Sequence, residues 1–294
     1  MNLRFVEAFH WAVSLKSVTR AAQKLHITQS ALSARIAALE EELGTVLVDR
    51  RDKQFRLTVA GQRFHVLALR LLEVQRQVRA EMSSHAGRAM VLRLGAIESV
   101  VHSWLTGWLQ QMRSSHPDFE LELTVETSPV LVDQMRRGAL DLVFAALPAS
   151  DSAVRTLPLP PMPMVFVGHA AQHTQPRYSL LDLSCMELLT FQRGSQPHQA
   201  LLALFEQHRA PVPRVHTISS ISAMVQLVEG GFGVATLPRA TVPALARGAP
   251  LHELVAERAL QPLPIHASFR EDPTSTLTRS VLESAQAYLG QSPG

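Results

Sequence analysis

Cysteine is almost missing from this chain: Cys185 is the only one in 294 residues. No intramolecular disulfide can form, and metal sites built from several thiolates are excluded. A single free cysteine packs like a small hydrophobe, so Cys185 is expected to be buried or half-buried. Long apolar runs are missing as well. No uninterrupted stretch approaches the ~18–20 residues of a membrane span. The N-terminal MNLRFVEAFHWAV carries Glu7 and lacks a small-residue cleavage site, unlike a secretory signal. The expectation is a cytoplasmic protein with no membrane partner. Enzyme signatures are absent too: there is no GxSxG elbow, no P-loop and no HExxH. GGFGVA follows a helical pattern and opens a strand, the reverse of the dinucleotide-binding order. His169 and His173 have no carboxylate beside them at a suitable ligand spacing. No catalytic residue, metal or cofactor is expected.

Charge is present but uneven. Residues 1–90 hold 14 Lys+Arg against 8 Asp+Glu, whereas residues 91–294 hold 14 against 17. All three lysines, Lys16, Lys24 and Lys53, fall in the first segment. A small basic module joined to a larger, mildly acidic one suits a polyanion-binding part attached to something else. With 46% hydrophobic residues the chain has material for about two domains.

Three helices fit residues 2–43. The first carries Leu3, Val6, Phe9, Ala12 and Val13 at amphipathic spacing. Ser17 and Thr28 are N-cap residues for the second and third, and Gly44 stops the third. VLVDRRDKQFRLT follows, two β-prone pieces around a charged tip, which predicts a hairpin. In the third helix Leu32, Ile36, Leu39 and Leu43 form one apolar stripe, and Ser30, Ala34, Ala37 and Glu41 lie opposite. A helix facing only water fills that face with long charged residues, whereas one that reads DNA bases must keep it low. Two helices around a tight turn, then a charged hairpin, predict a winged helix-turn-helix with its second helix in the major groove. Gln29 can pair with adenine, Ser30 and Ser33 can bond several bases, and Ala34 or Ala37 can touch a thymine methyl. Arg35, Arg50, Arg51, Lys53 and Arg56 suit phosphates or the minor groove.

Thr58 can cap a long helix running to about His85, in which Phe64, Leu67, Leu71, Val74 and Val78 recur at coiled-coil spacing. That stripe needs cover, from the protein's own body or from a second copy, and its length favours dimerisation. His85 to Ala89 reads as a hinge. From residue 90 strands and helices alternate, which predicts parallel sheet with helices on both faces. The Pro-rich run Leu157–Pro163 and the later QPLPIHAS read as two crossings between subdomains, leaving the C-terminal helix in the first. Two such lobes make a cleft at the carboxyl ends of their strands, where a small molecule would bind. A solute-binding transport protein explains the second part but not the basic first 90 residues, and an architectural DNA protein explains only the first part.

Phe5, Phe9, Ala21-Ala22, Leu25, Ile27, Gln29, Ser33, Ile36, Leu39-Glu40, Leu43-Gly44, Leu47, Arg50 and Leu57-Thr58 with Gly61 resemble the N-terminal signature of LysR-type transcriptional regulators. The resemblance continues more loosely through LRLGAIES, GALDLVFA and LVEGGFGVATLP. The chain departs from the pattern at Ser30, where proline is usual, at Val48, where phenylalanine is usual, and at Ala34, where some members carry arginine. The resemblance implies an α/β multidomain protein. Its parts are a winged helix-turn-helix at 1–60, a linker and dimerisation helix at 58–86, and a periplasmic-binding-protein-like effector domain at 90–294. Lobe I is expected at about 90–160 and 267–294, and lobe II at about 161–266. It further implies a homodimer through the linker helix, assembly to a tetramer, binding to pseudo-palindromic promoter DNA, contact with RNA polymerase, and response to a small effector. By match to the family's motifs, the effector residues are Ile97, Glu98, Ser99, Thr127, Ser128, Arg193 and Ser195. The helix after Ser99 would aim its N-terminus inward, which favours a carboxylate or phosphate. The effector expected is a small carboxylate or aromatic compound, with Ser99 and Ser128 as donors, unless they simply cap helices, and Arg193 as countercharge. Glu98 opposes an anion unless it turns away or pairs with Arg193.

Overall fold

The N-terminal helices meet in one small core, in which the third buries a single stripe and the first is buried on most of its faces. The computed structural model describes residues 1–49, 55–82, 90–115, 119–149, 154–246, 248–270, 273 and 277–291. Helix α1 (Leu3–Ser14) buries Val6, Phe9 and Ala12. The paired alanines Ala21 and Ala22 let α2 (Val18–Lys24) lie close against it. The Ser17 side chain caps α2 by accepting from Arg20 N–H, and Thr28 caps α3 (Gln29–Leu43) by accepting from Ala31 N–H at 3.2 Å. The turn between them places His26 at φ 53°, and Gly44 ends α3 in the left-handed region at φ 63°.

Leu32, Ile36 and Leu39 of α3 are buried as their spacing requires. Burying each contributes about 1.5–3 kcal/mol, well above what surface pairs contribute, so burial sets the roll of this helix. Leu43 departs from the expected stripe and is 37% exposed, because the last turn of α3 runs past the edge of the core. Strands β1 (Val48–Asp49) and β2 (Arg56–Leu57) pair antiparallel, with Val48 opposite Leu57. Glu40 anchors this wing: its Oε1 accepts from Leu47 N–H at 2.8 Å and Val48 N–H at 3.0 Å. The Thr58 hydroxyl accepts from Gly61 N–H at 2.9 Å and opens α4 (Val59–Met82). Phe64 of α4 packs on this core, 5.5 Å from the Phe9 ring, whereas Leu67, Val74 and Val78 stand 53%, 55% and 53% exposed. The proposed hinge at 85–89 lies outside the described residues.

Strand β3 (Met90–Ala96) leads into a continuous helix made of α5 (Glu98–Val100), a π-helical turn at Val101–Leu105, and α6 (Thr106–Ser115). Then come β4 (Phe119–Val125), α7 (Ser128–Arg137), β5 (Leu142–Ala145) and β6 (Val154–Met162). The chain continues through β7 (Met164–His169), α8 (Leu180–Ser184), β8 (Glu187–Thr190), α9 (Gln196–Gln207), β9 (Arg214–Thr217) and α10 (Ile221–Glu229). It ends with β10 (Val234–Pro238), α11 (Val242–Leu245), β11 (Leu251–Leu254), β12 (Leu263–Arg270) and α12 (Leu277–Gln291).

Two five-stranded sheets result, ordered β4-β3-β5-β12-β6 in lobe I and β11-β7-β10-β8-β9 in lobe II. Both are mixed rather than parallel. In lobe I, β3 runs parallel to β4 and β5, whereas β12 is antiparallel to both β5 and β6. A chain that crosses out along β6 and back along β12 sets the two crossing strands side by side in opposite directions. The Pro-rich run read as a crossing is mostly strand β6, at the sheet edge, where Pro158, Pro160 and Pro161 cost the sheet few hydrogen bonds. Helix α12 returns to lobe I, with Val281, Leu282 and Ala285 in the same core as Leu92 and Leu94. Trp108 Nε1 donates to Ser284 Oγ at 3.2 Å and fastens α12 to α6. Cys185, expected buried or half-buried, is exposed, because it caps the C-terminus of the short surface helix α8.

One polar pair, His10 buried and His65 half-buried, bears on stability. His10 on α1 is 3% exposed, its Nδ1 lies 3.4 Å from His65 Nε2 on α4, and the rings stack at 5.5 Å. Burial first, then the charges of His65 and Arg270, push the His10 pKa down to about 3, and burial lowers that of His65. The His10 ring is thus neutral in the fold, while the unfolded chain takes up its proton below its ordinary value near 6.5. This stability is intact above pH ~6.5 and falls as pH drops toward ~3, by up to about 1.4 kcal/mol per pH unit for His10. In thermal melts from pH 7 to 5, His10→Phe should lose less of its unfolding midpoint than the wild type; parallel pH profiles would refute the account.

Candidate DNA-reading helix and effector cleft

The roll of α3 that buries Leu32, Ile36 and Leu39 turns Gln29, Ser30, Ser33, Ala34 and Ala37 outward, all exposed, with Arg35 half-buried at the flank. Two of these are already oriented. Gln29 Oε1 accepts from Thr19 Oγ1 of α2 at 3.2 Å, and Ser30 Oγ lies 3.0 Å from Thr28 Oγ1. The Gln29 amide is thereby held with its NH2 group unengaged among the described residues. Of the predicted wing cations, Arg50, Arg51 and Lys53 lie outside the described residues, and Arg56 on β2 is exposed.

The second site is a cavity of about 590 Å³ between the lobes, within the usual range for small-molecule sites. Ile97, Glu98, Ser99, Thr127, Ser128, Arg193 and Ser195 all line it, so the fold brings together every predicted effector residue. Each follows the C-terminal end of a strand, and the N-termini of four helices converge there: the α5–α6 helix and α7 from lobe I, α9 and α10 from lobe II. The N-caps of the lobe I helices, Ile97 and Thr127, make no side-chain cap bond. Those of lobe II, Ser195 and Ser220, accept from His198 N–H and Ala223 N–H. Free backbone donors of the cleft are thus richest on the lobe I side.

Ser99 is 2% exposed and lines the cavity, and its hydroxyl has no hydrogen bond among the described residues. Neither Ser99 nor Ser128 is an N-cap, those positions being Ile97 and Thr127; Ser128 Oγ accepts from Ala146 N–H at 3.1 Å and ties the start of α7 to the end of β5. Glu98 takes one of the two courses expected of it and turns to other partners. It does not pair with Arg193 but reaches across to lobe II, where Oε2 accepts from Ile221 N–H at 2.6 Å and Oε1 from Ser220 Oγ at 3.1 Å. A carboxylate at a helix N-terminus is favourable, and this one makes Glu98 a cap for α10 supplied by the opposite lobe. Sequence reading missed Ser220, Glu126 and Phe191 in the lining. Ser220 was detectable as the polar residue before ISAMVQLVE, an N-cap position; Phe191 and Glu126 carried no comparable signal.

Residues 85–290 match the family described as the LysR substrate binding domain, and residues 3–62 match the bacterial regulatory helix-turn-helix protein, lysR family. The chain belongs to the LysR family of transcriptional regulators. Its members are DNA-binding regulators rather than enzymes, and this chain carries their effector-binding domain. It is 26% identical to the HTH-type transcriptional regulator BenM of Acinetobacter baylyi over 302 residues, spanning 99% of this chain and 98% of that one. It is 33% identical over 228 residues to a probable hydrogen peroxide-inducible genes activator of Streptomyces viridosporus, covering 76% and 72% of the two chains. Among solved structures, a point variant of full-length OxyR from Pseudomonas aeruginosa superposes with a TM-score of 0.63 at 22% identity, over 99% of this chain and 95% of that one. Full-length BenM does so with a TM-score of 0.55 at 25% identity, over 100% and 99%. Among the described residues, no helix is long and apolar enough to cross a membrane.

The Glu98 bridge yields a measurable expectation in this LysR-family chain. Glu98→Gln should keep the fold and loosen the first turn of α10, raising amide exchange over Ile221–Ala223 by roughly three- to tenfold, the range of a lost N-cap. Unchanged exchange there would show that the carboxylate contributes nothing to holding the lobes.

Proposed function

We propose that this protein binds pseudo-palindromic promoter DNA as a homo-oligomer and that a small effector held between its lobes, a carboxylate or an aromatic compound, sets its effect on transcription. The observation that carries the reading is the convergence of four helix N-termini, with the unengaged Ser99 hydroxyl, on one cavity of about 590 Å³. Such a site suits an anionic group on the lobe I side, with Ser99 and Thr127 as donors and Arg193 as countercharge. The remaining lining, including Phe191, Val125, Leu147 and Leu263, suits an apolar or aromatic body. Glu98 and Glu126 oppose a second anionic group, which favours a monocarboxylate over a dicarboxylate. The exposed Leu67, Val74 and Val78 of α4 support a dimer through that helix, the unit from which a tetramer would be assembled. Contact with RNA polymerase and action in the cytoplasm, where the chromosome lies, belong to the same reading.

On the DNA side, Gln29, Ser30, Ser33, Ala34 and Ala37 read base edges, and Arg35 with Arg50, Arg51 and Lys53 grips phosphates. Ala34→Arg or Ala37→Glu should cut affinity for the duplex upstream of the protein's own gene by at least roughly tenfold, one lost base contact, with the melting midpoint unchanged. Unaltered binding by both variants in fluorescence anisotropy would mean that the helix is oriented differently. On the effector side, a thermal-shift panel of aliphatic and aromatic monocarboxylates, neutral amides and amines tests ligand class. Stabilisation by carboxylates that disappears in Ser99→Ala is the expected result, and stabilisation only by amines or neutral compounds would overturn it.

A further inference from the structure

Helix α7 has one end in the cleft and the other on the DNA-binding domain. At its start, Thr127 and Ser128 line the cavity. About ten residues and ~15 Å later, its C-terminal end meets Leu15, just after α1, and Arg20 in the first turn of α2. Arg270, at the end of β12, is 5% exposed and forks between two helix C-termini. Its Nη1 donates to Ser14 O and Ser14 Oγ, both at 2.8 Å, and its Nη2 to Met135 O and Arg136 O, both at 3.4 Å. Carbonyl-rich helix ends carry partial negative charge, so one guanidinium serves the end of α1 in one domain and the end of α7 in the other.

Neighbouring contacts follow the same seam. Arg20 Nη1 of α2 donates to Arg136 O at 3.4 Å. Gly138, which ends α7 at φ 77°, lies under Leu15: a Cβ there would come within 2.6 Å of the leucine methyl. Lys24 of α2 lies 2.8 Å from Asp141 Oδ1 and 5.0 Å from the Trp11 ring centre. Arg93 holds the same carboxylate through Nη2 at 2.7 Å. Burial alone would raise the Asp141 pKa, but hydrogen bonds from Arg93 and Lys24, with their charges, outweigh it and keep the group low. The seam is incompletely filled, with a cavity of about 120 Å³ among Trp11, Lys24, Leu140, Asp141, Arg270 and Thr278. Interfaces held by polar groups around a void rearrange at lower cost than close-packed cores.

We propose that lobe I carries a docking surface for the DNA-binding domain of its own chain, and that α7, rigid between the two, couples that docking to the state of the effector cleft. The effector reading of the cleft supplies the physiological input, and coupling through α7 is reciprocal: whatever moves Ser128 moves the seat of Leu15 and Ser14, and undocking alters the cleft in return.

The test uses the full chain with neither DNA nor effector, so its outcome is separate from that of the ligand panel. Water-soluble carbodiimide should join Lys24 to Asp141 within one chain, as shown by mass spectrometry on mixed light and heavy protein. A link only between chains, or none, would overturn the docking. Hydrogen exchange over Leu15–Leu25 should rise about three- to tenfold in Lys24→Ala and in Arg270→Lys, which keeps the charge but loses the fork. If Arg270→Lys does not fold, Lys24→Ala and the cross-link decide. The coupling itself is read from Ser128→Ala, at the far end of α7. It should speed exchange over the same Leu15–Leu25 amides by at least twofold, while Arg239→Ala, which breaks the Arg239–Glu253 pair of lobe II, leaves them unchanged. A Ser128→Ala protein whose loosening stops at the cleft, or an Arg239→Ala protein that loosens the α1–α2 region equally, would refute α7 as the connection.

Discussion

The unpaired backbone groups at helix ends decide where charge sits in this protein. A helix leaves amide hydrogens free at its start and carbonyls free at its finish, and each end needs a partner of the matching sign. The fold gathers the starts of four helices at the cleft and the finishes of two at Arg270. Glu98 and Arg270 are the corresponding side chains, an acid on the start of α10 and a base between the finishes of α1 and α7. Both act across a boundary, the first between lobes and the second between domains. These two side chains add charge-matched contacts at boundaries that apolar packing also spans, since one buried cluster runs through both lobes.

Within the DNA-binding domain the division of labour is sharper. Leu32, Ile36 and Leu39 fix the roll of α3 by burial, and the opposite face is left with short side chains. The Thr19–Gln29 and Thr28–Ser30 contacts then prepare the exposed end of that helix before any duplex arrives, which lowers the ordering cost of recognition. Glu40 joins the same helix to the wing by taking two backbone donors, Leu47 just before β1 and Val48 at its start.

The parts of the molecule legible in the sequence were those governed by local pattern. The three N-terminal helices and their caps at Ser17, Thr28 and Gly44, together with the strand-end positions of the cleft residues, follow from periodicity, capping chemistry and a family signature with fixed spacing. What escaped depends on partners distant in the chain. The antiparallel placement of β12 follows from the double crossing, not from any feature of QPLPIHAS. The prolines of β6 disguise a strand because their tolerance depends on its lying at an edge. Leu43 fits its stripe and still faces water, since periodicity does not say where a core ends. The reach of Glu98 to α10 spans more than 120 residues, and that of Arg270 to Ser14 spans 256. Neither partner could be named from spacing.

The insertion of β12 between β5 and β6 also orders events during synthesis. Lobe II, from β7 to β11, is one unbroken stretch of chain whose sheet can close as soon as it leaves the ribosome. The sheet of lobe I must wait for residues 263–270, so until then β5 and β6 lack the strand that joins them. Pairings of such long sequence separation form slowly and leave an apolar edge open meanwhile. Because Arg270 closes that same strand, the seat for the DNA-binding domain is finished last, although the domain itself is made first.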